Sequence, residues 1–194
     1  MRAFELTEPL GTDRLIIRLE TEADVDAIHS WQSRDDVCRY LLYEPRDRAT
    51  VARKVAEDSA RTRLENDGDY LQLAVERRDD GRVIGQMFVT VDKAEYSTLE
   101  IGWVFHPEVA GQGYASEAAR AIMAVGFERM RAHRIIATLT PENTASVRLC
   151  LRLGMREEAH FVEDMFIKGR WEDTGVYAML ASEWLARQHE SRRI

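Results

Sequence analysis

His106-Pro107-Glu108-Val109-Ala110-Gly111-Gln112-Gly113-Tyr114-Ala115-Ser116 joins two stretches of opposite periodicity, and the fold follows from that change. Before it, residues 98–105 alternate, with Leu99, Ile101, Trp103 and Phe105 on one face and Glu100, Gly102 and Val104 on the other, the signature of a strand. After it, Ala115, Ala118, Ala119, Ile122, Gly126, Phe127 and Met130 recur at three- and four-residue steps, the signature of an amphipathic helix. A second apolar strand follows at residues 135–139. Strand, loop, helix and strand make a unit with two roughly parallel strands and a right-handed crossover.

The loop is the chemically informative part. Glycines at 111 and 113 let the backbone approach a ligand closely, and the first turn of the helix presents unpaired N–H groups to it. Such a site favours an anion, most naturally a pyrophosphate. A Walker loop would need Gly-Lys-Ser/Thr at the helix start, whereas Tyr114 follows Gly113. A dinucleotide fingerprint wants glycine or alanine where Ser116 stands and an acid some 20 residues on, where the chain reads Arg134-Ile135-Ile136.

Working outward, residues 14–19 predict a first strand. Thr21 with Asp24 predicts a capping box opening a helix that carries Val25, Ile28 and Trp31. A second helix is expected over 48–65, with Val51, Val55, Ala56 and Ser59 on one face and Gly68 beyond its end. Residues 71–76 alternate as a strand, and Asp80-Gly81 turns the chain into another over 83–91. Asn143 opens a helix that ends before Gly154, strands follow over 155–166 and 170–180, and the polar stretch 187–194 is expected to fray. No repeat or linker marks a boundary, so one domain with its core over about 10–182 is expected.

With 194 residues, 45% apolar and 31% charged, the chain has the composition of a globular protein. A formal charge of −7 argues against nucleic acid as a partner, and no apolar run approaches bilayer length. The N-terminus lacks a signal-peptide pattern, so a cytoplasmic location is expected. Cys38 and Cys150 alone make neither a disulfide framework nor a zinc site, and no metal is expected. His106, His133 and His160 stand apart in sequence and read as structural or surface residues, and Cys150 as core.

Pro141-Glu142-Asn143-Thr144-Ala145-Ser146-Val147-Arg148-Leu149-Cys150-Leu151-Arg152-Leu153-Gly154-Met155, taken with the glycine loop, resembles the GNAT superfamily of N-acetyltransferases. Thr12-Asp13-Arg14-Leu15-Ile16-Ile17-Arg18, Glu100-Ile101-Gly102-Trp103 and Lys168-Gly169-Arg170-Trp171-Glu172-Asp173 extend the likeness to the RimJ/RimL-like branch, which acetylates ribosomal-protein N-termini. The resemblance implies a mixed α/β (α+β) fold. Its sheet is mostly antiparallel, flanked by helices, with a central pair of splayed parallel strands diverging after Phe105 and Leu139. It implies acetyl-CoA as co-substrate, held by Gly111, Gln112, Gly113, Tyr114, Ala115 and Ser116 at the pyrophosphate, by the backbone of Trp103, Val104 and Phe105 along the pantetheine, and by Asn143. The family often has Arg or Gln at the position of Glu108.

The acceptor is expected to be a primary amine, on a protein N-terminus or a small molecule, attacking acetyl-CoA directly in a ternary complex. A CoA-binding sensor without catalysis is the alternative, and a homodimer is compatible with either. Attack needs a neutral amine, and at pH 7 deprotonating a lysine-like amine of pKa about 10.4 costs roughly 4.6 kcal/mol, against about 1 kcal/mol for an α-amine. Glu100, on the face of Gly102 and Val104, is the candidate base. Ser146 is the candidate donor to the departing sulfur.

Overall fold

The computed structural model describes residues 1–191. β1 (Phe4–Glu5), β2 (Leu10–Gly11) and β3 (Leu15–Leu19) lead into a 3-10 turn, Glu22–Asp24, closed by the expected capping box between Thr21 and Asp24. Helices α1 (Val25–Gln32), α2 (Asp35–Cys38) and α3 (Arg48–Ser59) follow, then β4 (Arg63–Leu64), β5 (Tyr70–Arg77), β6 (Val83–Lys93) and β7 (Thr98–Phe105). The second half runs α4 (Tyr114–Ala124), a π-helical turn (Val125–Arg129), β8 (Arg134–Leu139), α5 (Thr144–Leu153), β9 (Arg156–Ile167), β10 (Arg170–Leu180) and α6 (Ala181–Ser191).

Eight strands form one sheet in the order β2-β3-β5-β6-β7-β8-β10-β9. Every neighbouring pair is antiparallel except β7 and β8, which run parallel as the loop between them requires. Register places Arg18, Ala74, Gln86 and Val104 in one row across four strands, so Gln72, Phe88, Gly102 and Glu100 share a face with them. Helices α1 and α3 cover that face over a small cluster that includes Ile28, Trp31, Val51 and Val55. On the opposite face Leu73, Met87, Ile101 and Ile135 pack against Ala118, Ile122 and Met123 of α4 in the main core. The helix comes close there because Gly126 has no side chain: a Cβ would lie 2.8 Å from Ile135 Cδ1.

Four expectations are corrected. The helix expected over 48–65 ends at Ser59, because residues 63–64 leave it to pair with β1 and bury Leu64 beside Phe4 and Leu6. Within it Val51, Val55 and Asp58 are buried, while Ala56 is exposed. The frayed tail is a helix as far as Ser191, where Trp184 stacks on Phe127 at 5.5 Å and donates to Glu128; residues 192–194 lie outside the described residues. The parallel strands separate earlier than expected: their ladder ends at Glu100↔Ile136, short of Phe105 and Leu139. Each strand keeps its other neighbour through the gap, β7 paired with β6 to Phe105 and β8 with β10 to Leu139.

Candidate active site

The early separation leaves the β8-facing edge of residues 102–105 without a strand partner, and a cavity of about 660 Å³ opens there. Of the residues singled out in the sequence, Glu100, Trp103, Val104, Asn143 and Ser146 line it. Phe105 and residues 111–116 do not; the glycine loop lies apart, at the N-terminus of α4.

Gly111 and Gly113 have φ of +77° and +82°, conformations costly for other residues, and Gly113 caps α4 without a side-chain bond. The first intrahelical bond runs from the Glu117 N–H to the Gly113 carbonyl at 3.1 Å, so the N–H groups of Tyr114, Ala115 and Ser116 precede it. Two guanidiniums flank them. Arg14 donates to the Gln112 carbonyl at 3.0 Å and lies over the Tyr114 ring at 4.4 Å, and Arg152 donates to the Ser116 hydroxyl at 3.2 Å. Accepting from Arg152 leaves the Ser116 hydroxyl its own proton, so Ser116 keeps an O–H as well as an N–H to donate. Glu108, where the family often carries a cation or an amide, is held by Arg82 at 2.9 Å and turned into an ion pair there. Left-handed glycines, open N–H groups and nearby cations fit a pyrophosphate.

At the separation point itself, Asn143 caps α5, its Oδ1 accepting from the Ser146 N–H at 3.2 Å. The Trp103 indole N–H donates to Ser146 Oγ at 3.2 Å. That bond occupies a lone pair of the hydroxyl and leaves its proton to donate elsewhere, a link between β7 and α5 that residue spacing does not reveal. Glu100 is half-buried, and burial pushes its carboxyl above the ordinary range, an effect the hydroxyl and N–H of Thr138 partly offset. The cavity therefore has a potential acceptor of protons on one sheet face and a potential donor at the gap.

The remaining candidates are structural. His106 Nδ1 accepts from the Glu108 N–H at 3.3 Å, and its ring meets Trp31 edge-on. Cys150 is fully buried and its thiol is pushed up to about 12 by that burial, so it is no nucleophile. His160 is not alone: it contacts Asp173, which lines the cavity, at 2.7 Å. Glu20, Tyr43, Asp58 and Gln86 also line the cavity and were not singled out in the sequence. No local signal marks Glu20: strand alternation puts it on the face of Arg18, where an exposed acid is expected.

Residues 14–156 match the acetyltransferase (GNAT) domain. The chain is 38% identical over 178 residues to the uncharacterized N-acetyltransferase YnaD of Bacillus subtilis, covering 90% of this chain and 98% of that one. It superposes on the GNAT-family acetyltransferase from Bacillus anthracis with a TM-score of 0.82 at 32% identity, over 91% of this chain and all of the other. The spermidine N-acetyltransferase from Vibrio cholerae, solved with CoA and spermine, shares the fold at a TM-score of 0.75 and 23% identity, over 90% of this chain and 99% of that one. Sequence match, strand separation and glycine loop agree: the chain belongs to the GNAT family and is an acetyl-CoA-dependent N-acetyltransferase.

Proposed function

We propose that this chain acetylates a primary amine on a small molecule held in the cavity between the sheet and helices α1 and α3, by direct attack in a ternary complex. The observation that carries this reading is the single cavity of about 660 Å³ joining Glu100, the strand gap and Ser146, a volume in the range of small-molecule sites, about 300–1,000 Å³. The acetyl group comes from the thioester of acetyl-CoA. Glu100 takes a proton from the acceptor's ammonium, directly or through water, and the neutral nitrogen forms a bond to the acetyl carbon as the C–S bond breaks. Ser146, its hydroxyl oriented by Trp103, gives a proton to the leaving sulfur and regains one through water as the acetylated nitrogen sheds its second proton, and Glu100 returns the first to solvent. The loop at residues 111–116 and the Asn143 amide anchor the rest of the co-substrate.

A protein N-terminus is the second reading, favoured by the RimJ/RimL-like motifs at residues 12–18 and 168–173. The small amine is preferred because a curated relative, 24% identical over 178 residues, is the spermidine N(1)-acetyltransferase of Vibrio cholerae. The reaction is proposed to take place in the cytoplasm. A thiol-release assay over N-terminal peptides, aminoglycosides and polyamines decides. Release with small amines, with intersecting double-reciprocal lines, is expected; release with peptides alone would transfer the assignment to protein termini.

A further inference from the structure

Carboxylates are concentrated in the cavity, and their partners separate them into two groups. Asp58 lies 3.9 Å from the Lys54 ammonium and accepts from the Tyr70 hydroxyl, Glu172 pairs with Arg170, and Asp173 pairs with His160. Glu20 and Glu100 have no ion pair among the described residues. The cavity's arginines are occupied elsewhere, Arg39 with Glu142 at 3.7 Å and Arg46 with Gln32 and the Tyr43 ring.

Glu20 is the more unusual of the two. It is 2% exposed, yet among the described residues its only hydrogen bond is from the Gln86 amide to Oε1, leaving Oε2 for the cavity. No fully enclosed side-chain polar atom among the described residues lacks a partner, so Oε2 is reached from the cavity. An acid in that position is costly unless a cation joins it. Register gives the distance to Glu100. Glu20 lies two residues past Arg18, in the row of Gly102, three strands away from Glu100 and one row off, roughly 15 Å between Cα atoms. With both side chains on the cavity face, their carboxylates are separated by on the order of 10 Å, the span of an extended chain with two amino ends.

We infer that Glu20 is the counter-ion for a second, non-reacting ammonium of the acceptor, so that the substrate is a diamine or polyamine bridging Glu20 and Glu100. This rests on the small-amine reading above and assigns specificity within it. The groups facing Glu20 are Arg18 and Asp24, already paired with each other, Tyr43, Asp58 of α3 and Gln86 of β6. None of them supplies an uncommitted cation.

The test measures thiol release from acetyl-CoA with spermidine and 1,6-diaminohexane, with hexylamine as the singly charged control, for wild type, E20Q and E20D. Wild type should favour the diamine over hexylamine at least tenfold in kcat/KM. E20Q should cost the diamine at least tenfold more than hexylamine, through KM, and E20D should recover part of the difference. Equal losses for both amines, or a wild type without preference, overturn the inference and leave the small-amine reading standing. If no amine releases thiol, that reading fails. Calorimetry of 1,6-diaminohexane binding then decides on Glu20: binding lost in E20Q supports it, and absent or unchanged binding overturns it. Should E20Q not fold, the wild-type ratio of diamine to hexylamine must fall between pH 8 and pH 5.5 as Glu20 takes up a proton, and a flat ratio overturns the proposal.

Discussion

In the proposed reaction Glu100 is the base and Glu20 holds the second ammonium, and each acid has its own pH signature. Glu100→Gln should keep acetyl-CoA affinity and lower kcat by about 10² to 10⁴ at neutral pH. The loss should shrink as pH rises toward the amine's own pKa, because solvent then supplies neutral amine; a pH–rate profile of both proteins checks this. Glu20 acts on stability. Burial pushes its carboxyl up to about 7 from 4.5 in the unfolded chain. A raised acid holds its proton longer in the folded state, so its contribution is greatest below the unfolded value and is lost as pH climbs from about 4.5 to 7. Glu20→Gln removes that loss, and its melting temperature should exceed wild type at pH 8 while matching it near pH 4.5. Thermal melts at the two pH values read the difference, and a lower melting temperature at pH 8 would contradict it. On the proposed role of Glu20, the destabilising acid beside the cavity exchanges stability for recognition.

At the level of elements, α5 shows how far sequence reaches. Asn143 and Gly154 bracket it as expected, the one bonding the Ser146 N–H and the other holding φ at +90°. Asn143→Ala should cost about 1 kcal/mol of stability and weaken acetyl-CoA binding as well, a joint loss that chemical denaturation and calorimetry separate. Gly113→Val places a side chain where φ is +82° and should abolish acetyl-CoA binding, which calorimetry reads directly. Strands β5 to β10 were legible because alternation and turn residues are local signals, and the glycine loop because its chemistry is consecutive in the chain. The end of α3, the point where β7 leaves β8 and the burial of Glu20 were not. Each depends on a partner distant in sequence: β1 for α3, β6 and β10 for the gap, and Gln86 for Glu20. Trp103 bonding Ser146 is likewise a meeting across 43 residues.

For the molecule as a whole, ligand binding should couple both sides of the gap. Acetyl-CoA at 100 times its dissociation constant should stabilise the fold by about 2.7 kcal/mol, visible as a melting shift, and should slow hydrogen exchange of the β8-facing amides in residues 102–105. The gap also divides the sheet along the chain. Everything from β2 to β7 is encoded by residues 10–105, and β8, β9 and β10 by residues 134–180, with three ladder pairs joining the two groups. During synthesis the first group can therefore close its hairpins on the ribosome before any residue of the second has been added, leaving the β7 edge open while it waits. Pulse-labelling of stalled nascent chains should find β5 and β6 protected while β8 is still inside the ribosome. The seam proposed to admit a substrate in the finished enzyme is, in the growing one, the boundary between what has folded and what has yet to be made.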